Sequence, residues 1–187
     1  FRVAFDPDSA LRAVEEIGYP AVLKPVDGSW GRMVAKVGNR EAAESTIEHK
    51  SNLDSHYHSI YYVQEFIETG KKDIRAFVLG EEVVGAAYRE SDHWITNAAR
   101  GGKSKPYPSS RELEDIVTET SKIFGGGALA VDLLESDRGL LINEINCSME
   151  FKESMKAIDS NIPANLLDYT ISQAEASEEV TQTKCLV

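Results

Sequence analysis

The chain has 187 residues, 42% of them apolar and 8% aromatic, with a formal net charge of -11 and a mean hydropathy of -0.31. This composition supports a buried core for one domain or two small ones and excludes a disordered or fibrous chain. The acidic balance argues against broad binding to nucleic acid, whose phosphates require clustered Lys and Arg.

No run approaches the roughly 18 apolar residues of a membrane span, and the N-terminus lacks the basic and apolar blocks of a signal peptide. Two cysteines, Cys147 and Cys185, cannot build a disulfide framework or a zinc quartet. A cytoplasmic protein with no nucleic-acid or membrane partner is expected. Because the first residue is Phe1, a chain processed or cut from something longer is also expected.

Asp6 before Pro7 reads as an N-cap with proline at the first helical position. Leu11, Val14 and Ile17 then recur at helical spacing until Gly18 and Pro20 stop the helix. Short apolar runs at 21–26 and 33–37, joined through Asp27-Gly28-Ser29-Trp30-Gly31-Arg32, predict a hairpin with a long glycine-bearing tip. Asn39 caps a helix reaching about His49, and a polar stretch with His56 and His58 leads into a strand over 60–67.

Strands at 74–79 and 83–88 form a second hairpin around Gly80-Glu81-Glu82. Residues 89–108 show polarity without periodicity and contain Arg100-Gly101-Gly102, which marks a candidate functional loop. Ser109 or Ser110 caps a helix carrying Leu113, Ile116, Val117 and Ile123, ended by three glycines at 125–127. A last hairpin pairs 129–134 with 140–146 about Asp137-Arg138-Gly139, and a closing helix runs from Pro163 to about Gln173.

Hairpins mixed with helices give an α+β fold. A small lobe over 1–63, a larger sheet lobe over 64–174 and a loose acidic tail over 175–187 are expected.

Asp132, Glu144 and Asn146 are the most informative cluster. A hairpin turning near Arg138 sets Asp132 across from Glu144, with Asn146 two residues on and therefore on the same face. Opposed carboxylates repel unless a cation or proton lies between them, and hard oxygen donors in so short a set point to magnesium or manganese shared with substrate phosphates. Acidic residues on a solvated strand face are the alternative.

Lys24 in an apolar strand, followed by Gly28, Gly31 and Arg32, suggests a phosphate site under a backbone-rich flap. A snorkelling edge-strand lysine beside a turn explains it equally well. Glu65, Phe66 and Ile67 end a buried strand where free backbone could meet an adenine edge. Asp73 could accept from ribose hydroxyls, or be a solvated turn acid. Arg100 offers a planar fork for a phosphoryl or carboxylate group, or is a surface arginine in a loop. His56 and His58 read as exposed loop histidines, His93 and Trp94 lie in the candidate loop without a clear role, and Cys147 has no base near it in sequence.

Taken in order, these pieces resemble the RimK-like branch of the ATP-grasp superfamily. Within it, Tyr19-Pro20-Ala21-Val22-Leu23-Lys24-Pro25, Gly28-Ser29-Trp30-Gly31-Arg32, His93-Trp94-Ile95-Thr96-Asn97, Ala99-Arg100-Gly101-Gly102 and Asn143-Glu144-Ile145-Asn146 resemble LysX-type ligases over about 18–167.

The resemblance implies two lobes with ATP between them. It implies Lys24 on the phosphates, a covering flap at Gly28, Ser29, Trp30, Gly31 and Arg32, and Glu65, Phe66 and Ile67 around the adenine. Asp73 would meet the ribose, Asn97 and Arg100 would face the phosphate and acyl region, and Asp132, Glu144 and Asn146 would hold the metal.

It further implies an ATP- and Mg-dependent ligase in lysine or arginine biosynthesis, joining 2-aminoadipate or glutamate to the C-terminal glutamate of a small acidic carrier protein, LysW, through an acyl phosphate. A homo-oligomer is expected, as is the absence of the N-terminal domain with which such ligases begin. The positive surface that an acidic carrier needs would come from a local patch around Lys103 and Lys105 or from that N-terminal domain.

Two departures stand out. Ile95 occupies a position where ribosomal-protein-modifying relatives carry arginine, and Cys147-Ser148 follows the Asn near the amino-acid pocket. A RimK-like ligase adding glutamate to a protein or cofactor, and a non-catalytic nucleotide-sensing module, are the alternatives.

Overall fold

The computed structural model describes residues 1–28, 30–53, 56–96 and 102–184. The chain divides into two compact units, Phe1–Glu68 and a second beginning at Thr69.

The first unit is an antiparallel sheet in the order β1-β4-β2-β3, built from β1 (Arg2–Ala4), β2 (Ala21–Lys24), β3 (Ala35–Val37) and β4 (Tyr61–Glu65). Helices α1 (Pro7–Ile17) and α2 (Arg40–Ser51) pack on it. Asp6 caps α1 by accepting the Ser9 N–H at 2.8 Å, and Asn39 caps α2 by accepting the Ala42 N–H at 2.9 Å. Ala10, Ala13 and Val14 from α1 and Ala43 and Ile47 from α2 meet Leu23, Val37, Tyr61 and Val63 from the strands. Each fully buried Val or Leu side chain there contributes about 1.5–3 kcal/mol.

β4 is hydrogen-bonded on both sides within this sheet, and the division into units falls beyond its end. β3 begins at Ala35, later than the expected Met33, because Met33 has φ 57, a left-handed conformation no strand accommodates.

The second unit is a five-stranded antiparallel sheet in the order β7-β6-β5-β8-β9. Its strands are β5 (Lys72–Leu79), β6 (Glu82–Glu90), β7 (Lys103–Pro106), β8 (Ala128–Ser136) and β9 (Gly139–Asn146). Along β5, Ile74, Ala76 and Val78 face α3 (Arg111–Ile123) and its Leu113 and Val117. Phe77 on the opposite face packs with Ala130 and Ile162.

α3 starts at Ser110, whose Oγ accepts the Leu113 N–H at 3.2 Å. Helix α4 (Ile162–Lys184) runs on past Gln173 into the segment read as an acidic tail. Part of the expected structureless stretch, 89–108, is strand: β6 reaches Glu90 and β7 returns beside it. Two lysines and a proline give β7 no apolar alternation to read, yet they suit a sheet edge. No helix among the described residues is long and apolar enough to cross a membrane.

Candidate functional site

On the face of the second sheet turned away from α3, charged side chains occupy strand positions flanked by buried apolar ones. Register sets Arg89 of β6 opposite Asp73 of β5, and Arg75 of β5 opposite Asp132 of β8. Arg75 binds Asp132 bidentately, Nε to Oδ1 at 2.7 Å and Nη2 to Oδ2 at 2.8 Å. Arg89 binds Asp73 the same way at 2.7 and 2.6 Å, and its Nη2 also lies 2.9 Å from Asp132 Oδ2.

Asp73, Arg89 and Asp132 are all buried, and two carboxylates balance two guanidinium groups. Burial pushes the Asp132 carboxyl up, but Arg89 and Arg75 outweigh it and hold the group below its usual range. Burial pulls the Arg89 guanidinium down, while Asp132 and Asp73 raise it above its ordinary value.

Asp132 opposes Glu144 on β9, and Asn146 opposes Ala130, on the same face of the hairpin. The register shifts between Asp132 and Leu133, so that Asn143 is the extra residue of a β-bulge beside the acidic pair. The repulsion argued for this pair does not by itself call for a bound ion. Arg75, directly across from Asp132 on its other side, already neutralises it, and a partner 57 residues away in sequence is invisible to spacing arguments.

The donors nevertheless fit a small hard cation. Three donors on Asp132 leave one of its roughly four lone pairs open, on Oδ1. Glu144 is exposed, with no hydrogen-bond or ion-pair partner among the described residues. The buried Asn146 Nδ2 has no hydrogen-bond partner among them either, and a half-turn of that amide presents its oxygen instead. Among the described residues no three His, Cys, Asp or Glu side chains cluster as a full protein cage.

In the first unit, Lys24 ends β2 opposite Tyr62 and is half-buried. The flap beyond it turns through two left-handed residues, Trp30 at φ 61 and Gly31 at φ 63, and the Arg32 guanidinium lies 4.7 Å from the Trp30 ring centroid. Glu65 closes β4 opposite Ala21, the Phe66 N–H donates to the Pro20 carbonyl at 3.3 Å, and Ile67 is half-buried. Ser29, Asn97, Arg100, Gly101 and Cys185 lie outside the described residues. His93 Nδ1 accepts the Ile95 N–H at 3.0 Å, and Cys147 is exposed.

Sequence reasoning missed Arg75, Arg89, Thr96 and Lys36. Asp73 is not a solvated turn acid, since it is buried and accepts the Thr96 hydroxyl at 2.6 Å as well as Arg89. Lys36 on β3 sits 3.4 Å above the Phe66 ring centroid. One signal was available: Asp73 and Arg75 alternate with Ile74 and Ala76, which marks a strand with charges on one of two covered faces.

The RimK-like ATP-grasp domain matches residues 1–170, and the chain belongs to that family. It is 39% identical over 168 residues to the alpha-aminoadipate–LysW ligase LysX of Saccharolobus solfataricus, covering 89% of this chain and 61% of that protein. It is 32% identical over 170 residues to the glutamate–LysW ligase ArgX of Sulfolobus acidocaldarius, covering 89% and 60%. The chain thus spans about three-fifths of the length of these curated relatives. Among solved structures, a RimK domain ATP-grasp protein from Sphaerobacter thermophilus superposes with a TM-score of 0.64 at 26% identity, over 83% of this chain and 55% of that one.

Proposed function

We propose that this chain is the nucleotide- and metal-holding part of an ATP-dependent, ADP-forming carboxylate–amine ligase. It would join 2-aminoadipate or glutamate, through the amino group, to the C-terminal carboxylate of a small acidic carrier protein in lysine or arginine biosynthesis. One observation carries most of the weight: Asp132 and Glu144 oppose each other on the last hairpin with Asn146 on the same face. So short an oxygen set suits magnesium or manganese held jointly with substrate phosphates. The kinship to LysX and ArgX supports the choice of substrates and carrier.

In this reading the first unit carries the flap and the second the metal site. Lys24 and the flap residues Gly28, Ser29, Trp30, Gly31 and Arg32 hold the ATP phosphates, Glu65, Phe66 and Ile67 line the adenine, and Asn97 and Arg100 face the phosphoryl and acyl groups. Asp73 meets the ribose through Oδ1, which takes one donor from Arg89, while Oδ2 takes Arg89 and Thr96.

The carrier carboxylate attacks the γ-phosphorus, ADP leaves, and the amine of the second substrate displaces inorganic phosphate from the acyl phosphate to give the amide. Magnesium, when bound, supplies positive charge beside the phosphates. Lys24 and Arg100 add fixed positive charge where the transferred group becomes most negative. Exposed Lys103 on β7 offers local attraction for an acidic carrier, whereas Lys105 beside it is ion-paired with Glu90 at 2.5 Å. A homo-oligomer completes the proposal.

The test is ADP release by the full-length protein with ATP and MgCl2, with carrier and amino acid each omitted in turn. Release requiring the carrier and either 2-aminoadipate or glutamate, with the carrier heavier by one amino-acid residue in the mass spectrum, is the expected result. Turnover that proceeds without the carrier rejects the carrier reading, and absence of magnesium-dependent nucleotide binding rejects the ligase reading.

A further inference from the structure

Gly85 stands inside β6, where a glycine weakens the strand and marks a place at which another group comes close to the backbone. Val83 pairs with Val78 while Gly85 pairs with Phe77, so Val84 is the extra residue of a β-bulge. The group that comes close is Ile158. A Cβ added to Gly85 would lie 2.6 Å from Ile158 Cγ2, nearer than unbonded carbons pack. That methyl branches directly from the Ile158 Cβ, so it cannot swing aside without leaving a staggered rotamer.

Gly85 also begins a row of directly paired residues that crosses four strands: Gly85 with Phe77, Phe77 with Ala130, and Ala130 with Asn146. Residues paired in this way share one face of the sheet. The neighbouring row on that face, two residues away along β5 and β8, is Arg75, Asp132 and Glu144.

The segment after Asn146 covers the first of these rows. Met149, Phe151, Met155 and Ile158 pack against Phe77, Ala130 and Ile162, all three fully buried. The segment turns through a 3₁₀ helix at Ser154–Lys156, and Arg75 Nη1 donates to its Glu150 carbonyl at 3.4 Å. Asn146 ends the covered row, with its Nδ2 buried and lacking a hydrogen-bond partner among the described residues.

We propose that Gly85 and Ile158 are positioning residues of the metal site. Ile158, seated in the notch that Gly85 leaves, fixes the segment 147–158 as a cover that keeps the Asn146 amide dry and aimed at the cation. A methyl group in the notch lifts the cover, and water then reaches the row and competes for that amide. Groups that support a ligand in this way typically contribute about 10- to 100-fold to metal affinity. The inference rests on the proposed metal site.

The experiment measures the Kd of ADP by calorimetry, with and without MgCl2, for the full-length wild type, Gly85→Ala, Ile158→Ala and the double variant Gly85→Ala/Ile158→Leu. Gly85→Ala is expected to lower the magnesium enhancement of ADP affinity about 10-fold, leaving the magnesium-free Kd within about twofold of wild type. In the double variant, leucine removes Cγ2 at constant volume, and the enhancement is expected to return to within about threefold of wild type. Ile158→Ala empties the notch without adding an atom and is expected to lower the enhancement as well. Melting curves identify the folded variants; should Gly85→Ala not fold, Ile158→Ala carries the comparison.

Undiminished enhancement in folded Gly85→Ala or Ile158→Ala overturns the proposal while sparing the metal site, as does a double variant no better than Gly85→Ala alone. Equal weakening of ADP with and without magnesium overturns it in favour of a general disturbance of the nucleotide site. A wild type whose ADP affinity ignores magnesium removes the metal reading and this inference together.

Discussion

Replacing Asp132 with alanine tests the charge arrangement at the centre of the second sheet. The change deletes contacts of 2.7, 2.8 and 2.9 Å and leaves two arginines facing one carboxylate. Arg89 keeps its bidentate bond to Asp73, whereas Arg75 is left with the Glu150 carbonyl at 3.4 Å. The orphaned charge is therefore Arg75, whose side chain is 12% exposed.

Breaking a buried ion pair from one side costs about 3–5 kcal/mol, and the residual exposure of Arg75 favours the lower end, about 3 kcal/mol. With a urea m-value of about 2 kcal/mol/M, the unfolding midpoint falls by roughly 1.5 M. Trp94 fluorescence reports on this unit. The double variant Asp132→Ala/Arg75→Met removes the orphan and should recover part of the loss. A loss below about 1 kcal/mol, or a double variant no more stable than the single, would refute the idea that these arginines depend on Asp132 for their charge balance.

Glu144→Ala should separate function from stability. It leaves the unfolding free energy within about 0.5 kcal/mol, since Glu144 is exposed and unpaired among the described residues. In the ligase assay it should lower kcat/KM about 10²- to 10³-fold, as losses of electrostatic groups do elsewhere, and wild-type turnover would remove Glu144 from the metal site.

Because the folded Asp132 carboxyl lies below its usual value, its stabilisation is present above the unfolded value of about 3.9 and is lost as pH falls through the folded one. The stability gap between wild type and Asp132→Asn should hold from pH 7 to about pH 5 and narrow below about pH 4, and urea titrations that find it undiminished in acid contradict the assignment.

Ser110→Ala removes the acceptor for the Leu113 N–H and should cost about 1 kcal/mol in a denaturant titration. Gly80→Ala should cost about 1–2 kcal/mol or more in the same measurement, because φ is 61 and an added Cβ would lie 3.2 Å from Tyr169 Cε2. A neutral Gly80→Ala variant would mean that the turn between β5 and β6 relaxes readily.

The amino-acid sequence alone determined what is local. Asp6, Asn39 and Ser110 mark helix starts because a cap bonds an N–H three residues away. The turn at Asp137-Arg138-Gly139 pairs the two strands of the last hairpin, but its register alone would set Asp132 opposite Asn143, and the bulge at Asn143 is what brings Glu144 there. The motifs around Lys24, Arg32 and Asn146 likewise pointed to the family that residues 1–170 match.

What spacing could not supply was anything that depends on strand order. β1 is three residues long and becomes a strand only by pairing with β4, and β7 exists only because β6 offers it an edge. Arg75 meets Asp132 because β5 lies between β6 and β8, and Asp73 turns inward because Arg89 stands beside it on β6. Strand order is settled by burying the apolar faces of the whole sheet at once, a global balance no short window contains. Only the tertiary structure could therefore decide that the charge facing Asp132 comes from two arginines of the chain itself.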